Sequence, residues 1–347
     1  MLLESLGWSR ARQIEFAPFA ADGLEPGRVA VQERGRYGVL TPRGELAAEA
    51  SGRLRHEARP GGLPVAGDWV AVRAAGGLAR VEAVLPRSTA FVRKAAGEAD
   101  VGQALAANLD VALLVAALPD LNPRRLERYL TAAWESGAEP VLVLTKADLV
   151  ENAAARAVEA EALAPGVAVH AVSSVTGEGV DEVRAQLLPN RTAALLGTSG
   201  AGKSSLVNRL IGERRQAVAE VRGDGRGRHT TTNRELLLVP GGGLVLDTPG
   251  MRELGLWESE SGVQETFEDV TSLAEQCRFG DCRHESEPGC AVVEAVRVGR
   301  LATARLESYR KLVRELAHLE RRRNPRLRAE QRAHWRRIHR ELRRSER

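Results

Sequence analysis

The chain has 347 residues, a formal net charge of +4 and 43% hydrophobic residues, enough for two to three domains with packed cores. Its longest apolar run, Val111 to Leu118, falls far short of the roughly 20 residues needed to span a membrane. The N-terminal residues lack a basic-then-apolar signal pattern, so a soluble cytoplasmic protein with no membrane partner is expected.

Residues 1–27 show no clear period and are expected to form an N-terminal arm. From 28 to 95, short apolar stretches recur between turn signals at Arg28 to Val31, Tyr37 to Leu40, Asp68 to Val72 and Leu78 to Val84. That spacing predicts a small antiparallel barrel. Its basic residues Arg53, Arg55, Arg73, Arg80, Arg87, Arg93 and Lys94 suit an RNA backbone, and equally suit the solvated surface of a structural barrel.

Residues 96–258 alternate strands with helices. Leu109 to Leu118, Val141 to Thr145, Val167 to Val172, Thr192 to Leu196, Glu235 to Val239 and Leu244 to Asp247 read as strands, with helices at Pro123 to Trp134 and Asn152 to Leu163. The pattern predicts a doubly wound α/β sheet with its ligand at the strand C-termini.

Four elements in this region carry nucleotide chemistry. The first is Thr145-Lys146-Ala147-Asp148, directly after an apolar strand. A carboxylate at Asp148 can accept from N1–H and the exocyclic amine of guanine. Adenine lacks that pair of donors, which selects GTP over ATP. Lys146 would lay its stem along the base, and Ser173 and Ser174 are placed to donate to guanine O6.

The second element, Gly197-Thr198-Ser199-Gly200-Ala201-Gly202-Lys203-Ser204, is a complete phosphate loop, followed by Ser205. Its glycines let backbone N–H groups approach the phosphates at a helix N-terminus. Lys203 would lie between the β- and γ-phosphates, with the Ser204 hydroxyl on Mg²⁺. Ordinary guanine-nucleotide proteins carry the base-reading element after this loop; here it comes before, so the order is rotated.

The third and fourth elements lie downstream. Gly225-Arg226-Gly227-Arg228-His229-Thr230-Thr231-Thr232 is polar and glycine-rich, as a γ-phosphate-ordered loop must be, and one of its threonines, Thr231, is expected to ligate Mg²⁺. In Asp247-Thr248-Pro249-Gly250, Asp247 would hold Mg²⁺ through water and the Gly250 N–H would sense the γ-phosphate. Met251 then occupies the position where many GTPases carry a water-orienting Gln, which predicts slow intrinsic hydrolysis. His229 is the local candidate to orient water; the alternative is a switch-loop or RNA-facing histidine.

Residues 259–347 contain all three cysteines of the chain, in the pattern Cys277-x4-Cys282-x-His284-x5-Cys290. Three sulfurs and one nitrogen suit a closed tetrahedral shell, hence one structural Zn²⁺. A disulfide would leave one cysteine over. Further on, Leu306, Tyr309, Leu312, Val313, Leu316 and Leu319 recur at helical spacing. Residues 321–347 then hold 12 Arg against three Glu, with Trp335 among them, a stretch suited to nucleic-acid phosphate and exposed bases.

Taken in this order, from about residue 68 to 290, these motifs resemble the circularly permuted, ribosome small-subunit-dependent GTPase A family (RsgA, also called YjeQ or EngC). The resemblance implies a multidomain α/β protein: an OB-type RNA-binding barrel, a circularly permuted P-loop GTPase domain, and a C-terminal zinc knuckle with helices. It implies a GTPase that assists late assembly of the 30S subunit, binds 16S rRNA and is stimulated by that subunit, with a hydrophobic residue replacing the catalytic Gln. GTP, GDP and Mg²⁺ are the expected ligands, and a monomer is the default. The other reading is a GTP-dependent RNA-binding switch in which hydrolysis is incidental. Asp148 argues against an ATPase.

Overall fold

The computed structural model describes residues 2–33, 35–59, 61–74, 77–94, 102–212, 234–247 and 260–323. The chain divides into two units, one of residues 1–93 with 102–255, the other of 94–101 with 256–347. Among the described residues no helix is long and apolar enough to cross a membrane.

The first unit opens with a helix, α1 (Arg10–Ala21), where the sequence suggests an irregular arm. The period is hidden because the inward face is partly polar. Arg12 is buried while Ile14 is exposed, and Pro18 lies inside the helix. Arg12 is satisfied by Glu15, the Pro86 carbonyl, Ser88 Oγ and Asn108 Oδ1. Phe16 is buried beside Trp8, which meets Trp69 edge-on at 4.8 Å.

Five strands follow: β1 (Glu25–Glu33), β2 (Arg36–Thr41), β3 (Gly44–Ala50), β4 (Trp69–Arg73) and β5 (Ala79–Val84), with α2 (Gly52–Glu57) between the third and fourth. They pair in the order β1-β2-β3-β5-β4 and close through β4 on β1, with β3 and β5 parallel. This is the OB arrangement, a closed Greek-key barrel. Val29, Val39, Val70, Val72 and Val81 fill its interior.

Arg87 is not a surface cation of this barrel. Its guanidinium grips the buried Asp68 carboxylate at 2.7 and 2.8 Å and donates to the Gly61 and Leu63 carbonyls. Burial nevertheless holds the Asp68 carboxyl above its ordinary value, with Arg87 pulling the other way. Arg28, on β1, is buried over the Trp69 ring and donates to the carbonyls of Leu6, Gly67 and Asn108. Desolvation lowers its guanidinium to about 10, so it stays charged at neutral pH. The side chains of Arg93 and Lys94 lie outside the described residues.

A two-stranded sheet of β6 (Ala90–Lys94) and β7 (Gly102–Ala107) leads into the second sheet region. There β8 (Val111–Ala117), β9 (Glu139–Thr145), β10 (Ala168–Val172), β11 (Thr192–Leu196), β12 (Arg234–Leu238) and β13 (Leu244–Asp247) lie in the order β10-β9-β8-β11-β13-β12. All neighbours are parallel except β12 on β13.

Alternate residues of β8 feed two cores. Val111, Leu113 and Val115 meet α5 (Val180–Ala185) and α6 (Lys203–Ile211) through Val183 and Leu206. Ala112 and Leu114 join a core with Leu126 and Leu130 of α3 (Pro123–Ser136) and Ala160 of α4 (Ala153–Glu161). Burial on both faces is why these strands read as unbroken apolar runs.

The barrel and this sheet are continuous. A register shift between Val29 and Val31 interrupts β1; beyond it Val31 and Gln32 pair with Glu235 and Arg234 of β12. A bulge bends a strand at the point of insertion. The first half of β1 thus closes the barrel and the second half extends the neighbouring sheet to 11 strands.

The second unit contains α7 (Glu260–Thr266), α8 (Glu268–Ala274), α9 (Ala291–Arg297) and α10 (Thr303–Arg323). Phe267, Val270, Val292, Leu306 and Leu312 form its core. Arg305 lies over the Phe267 ring at 4.3 Å and bonds Asp269 through two nitrogens. Of the helical stripe expected here, Val313 instead lies 39% exposed, and the side chain of Leu319 lies outside the described residues. The basic stretch beyond 323, with Trp335, lies outside them too.

Candidate functional site

Parallel strands carry their chemistry at one edge. The C-terminal ends of β9, β10, β11 and β13 place Thr145, Ser173, Gly197 and Asp247 along that edge of the sheet. In open α/β sheets this crevice is where ligands bind.

The phosphate loop runs from the end of β11 to the start of α6. Gly197 is required by close approach, since a Cβ there would lie 2.2 Å from the Val115 carbonyl oxygen. Gly202 has φ +91°, and a Cβ on it would press on the Thr145 hydroxyl at 3.1 Å. The Lys203 ammonium donates to the carbonyls of Gly197 and Thr198 at 2.7 and 2.6 Å, which centres it over the loop. Leu206 N–H already serves the Gly202 carbonyl at 2.9 Å, so α6 begins in register with the loop and points its first N–H groups into the cradle.

The base-reading segment is tied to this loop directly. The Thr145 hydroxyl donates to the Ala201 carbonyl at 2.5 Å and lies 3.3 Å from that of Ala116. Lys146 follows in the left-handed region at φ +61°, and Asp148 is exposed in the short 3-10 turn Ala147–Leu149. Beside it, Ser173 is fully buried, its oxygen accepting from the N–H groups of Val175 and Thr176. Ser174 Oγ is buried with no hydrogen-bond partner among the described residues. A buried hydroxyl of this kind is costly until a partner satisfies it.

Asp247 is half-buried at the end of β13, opposite Glu235 of β12. Thr231, His229, Gly250 and Met251 lie outside the described residues. A cavity of about 660 Å³ opens beside the loop, between Thr198 to Ala201, the end of β8 and the start of α3. Asp120, Asn122 and Arg125 stand in its wall. No local pattern marks these three; Asn122-Pro123 is legible as a helix start, but its position beside the phosphate loop is a tertiary fact.

The second unit brings Cys277, Cys282, His284 and Cys290 together, their ligand atoms all within 4.8 Å of one another. Cys277 Sγ lies 3.8 Å from Cys290 Sγ, and His284 Nδ1 lies 3.6 and 3.5 Å from those two sulfurs. Zinc bond lengths at tetrahedral angles give edges of about 3.8 Å for S···S and about 3.5 Å for S···N. Cys277, Cys290 and His284 stand at those edges and Cys282 lies within 4.8 Å of each, so the set is compatible with one zinc ion.

Local structure explains the arrangement. Cys290 caps α9 by accepting from Val293 N–H, and His284 adopts φ +59° to turn its ring inward. Burial lowers the His284 imidazole, which leaves it neutral and able to offer a lone pair. Burial raises the Cys277 thiol, but the N–H groups of Val292 and Ala291 at the start of α9 bring it below its ordinary value. Glu287 accepts from Arg283, Glu285 and Ser286 N–H, and those bonds hold its carboxyl down to about 2.

Known proteins of one family are similar to this chain over most of its length. The family profile described as RsgA GTPase matches residues 84–257. The small ribosomal subunit biogenesis GTPase RsgA of Streptomyces avermitilis is 48% identical over 336 residues, covering 95% of this chain and 90% of that protein. The protein of the same description from Opitutus terrae is 47% identical, covering 98% of this chain and 96% of that one. Among solved structures, YjeQ from Thermotoga maritima superposes with a TM-score of 0.64 at 27% identity, covering 85% of this chain and 99% of that one. YloQ, a circularly permuted GTPase, shares the fold with a TM-score of 0.61 at 24% identity, covering 85% of this chain and 96% of that one.

Proposed function

Because the chain belongs to the RsgA GTPase family, we propose that it hydrolyses GTP to GDP and phosphate in the biogenesis of the small ribosomal subunit. The observation that carries this reading is the Thr145–Ala201 hydrogen bond, which joins a guanine-reading segment to a phosphate loop that follows it in the sequence. Rotated order has been rejoined in space into one nucleotide site.

The residues divide the work as follows. Asp148 accepts from N1–H and the amine of guanine, Lys146 covers the base, and Ser173 and Ser174 complete its edge, with Ser174 Oγ the unsatisfied donor. Backbone N–H groups of Thr198 to Ser205 surround the phosphates. Lys203 exchanges its carbonyl partners for β- and γ-phosphate oxygens and follows the charge that moves onto the bridging oxygen as the γ-phosphoryl leaves. Ser204 and Thr231 are the residues to hold Mg²⁺, with Asp247 behind a water; the ion, when bound, neutralises phosphate charge. Gly250 meets the γ-phosphate, and His229 orients the attacking water where Met251 cannot.

Cys277, Cys282, His284 and Cys290 hold one structural zinc ion that, when bound, joins the loop after α8 to the start of α9. The barrel of residues 28–95 and the basic C-terminal residues are the surfaces for 16S rRNA, and the protein acts as a monomer in the cytoplasm.

Turnover of GTP, with and without purified 30S subunits, tests this reading, with ATP and 50S subunits as controls. Stimulation by 30S alone, with GTP alone, is expected. GTP binding without any 30S stimulation would instead favour a binding switch in which hydrolysis is incidental.

A further inference from the structure

The tip of the cysteine–histidine knuckle carries an aromatic ring that neither the metal site nor the core of its unit uses. Phe279 is 42% exposed, although the ligands Cys277 and Cys282 flank it closely in sequence. Cys282 N–H donates to the Phe279 carbonyl at 3.3 Å, so residues 279–282 form a closed turn with the ring at its start. Arg278 precedes it, its own N–H held by the Gly289 carbonyl at 3.1 Å, and its guanidinium carbon sits 5.5 Å from the centre of the Phe279 ring. The other side of the loop is locked by Glu287, which takes three backbone N–H groups. The backbone that carries the pair is therefore held before any partner arrives, which lowers the ordering cost of binding.

A flat, exposed ring beside a guanidinium suits a ligand that is flat and attached to negative charge. An unpaired nucleobase has both properties, and each base stacked on an aromatic side chain contributes roughly 5- to 150-fold in affinity. Arg278 and Arg283 lie with Asp281 in the half of the knuckle that carries the ring, while Glu285 and Glu287 lie beyond His284. We propose that Phe279 and Arg278 form a stacking platform for an unpaired base of the small-subunit RNA. The proposal rests on the ribosomal reading given above.

The test uses the full chain with purified 30S subunits. Phe279→p-benzoylphenylalanine is irradiated in the complex, and the adduct is digested separately with nuclease and with protease. Cosedimentation is measured in the same samples, and zinc content reports that the knuckle is intact. The expected result is a nuclease-sensitive adduct, about tenfold weaker 30S binding for Phe279→Ala at unchanged zinc content, and near wild-type binding for Phe279→Trp. An adduct to a ribosomal protein, no adduct in a cosedimenting complex, or wild-type binding by Phe279→Ala would each overturn the platform. Failure of the wild-type chain itself to cosediment would overturn the ribosomal reading, and this proposal with it.

Discussion

The hydroxyl of Thr145 lies 2.5 Å from the carbonyl oxygen of Ala201, so the segment that reads the base and the loop that cradles the phosphates are braced by one buried bond. Thr145→Val keeps the shape and removes the donor, leaving a buried carbonyl unsatisfied at a cost of about 1–3 kcal/mol. GDP affinity, followed with a fluorescent analogue, should fall about tenfold, as 1.4 kcal/mol corresponds to one decade. Thr145→Ser should retain wild-type affinity. Equal affinity in Thr145→Val would show that the brace does not support binding.

Lys203→Ala removes the cation centred over the phosphate loop. Loss of one preorganised charge-stabilising group costs about 10²–10³ in kcat. Single-turnover GTP hydrolysis should drop at least that far, and wild-type hydrolysis in this variant would refute the site.

Asp148→Asn replaces an acceptor pair with one acceptor and one donor. The variant should lose GTP affinity and gain affinity for xanthosine triphosphate, whose C2 oxygen accepts where the guanine amine donates. Competition between the two nucleotides is the readout, and an unchanged preference for GTP would remove Asp148 from the base site.

Cys282→Ser removes one of four convergent donors. Metal analysis should find zinc lost, thermal unfolding should show the C-terminal unit melting earlier, and GDP affinity should stay as in the wild type. Retention of zinc at full stoichiometry would contradict the four-ligand assignment.

Arg87→Ala separates structure from RNA contact on the barrel. It strands the buried Asp68 carboxylate and two loop carbonyls, and breaking a buried pair costs about 3–5 kcal/mol. Urea denaturation should show that loss. Substituting the exposed Arg53 should leave stability within about 0.5 kcal/mol. A stable Arg87→Ala protein would return that residue to the surface cations.

The phosphate loop and the base-reading segment are legible as local structure because their chemistry is local. Gly197 to Ser204 forms its loop from its own sequence, and strands such as β8 announce themselves through burial on both faces. Four residues with metal-ligand spacing were equally legible, since Cys277, Cys282, His284 and Cys290 close a shell within 14 positions. What escaped was tertiary. Residues 44–50, Gly-Glu-Leu-Ala-Ala-Glu-Ala, are rich in helix formers and yet form β3 between β2 and β5. Helix α1 was obscured because a charged residue, Arg12, occupies its buried face and finds partners some 74 to 96 positions away. Arg87 reads as one more surface cation because nothing near it in sequence marks Asp68, 19 positions earlier, as its partner.

The bulge that carries β1 from the barrel onto β12 also settles what happens to an otherwise naked sheet margin. Without Val31 and Gln32, β12 would present unpaired N–H and C=O groups at the rim of a six-strand sheet, the kind of surface on which another chain can add. The barrel is thus a stopper as well as a domain. A protein cut back to begin at residue 96 is expected to bind guanine nucleotide yet self-associate with time, and charged or proline substitutions on β12 should suppress that association in the shortened protein.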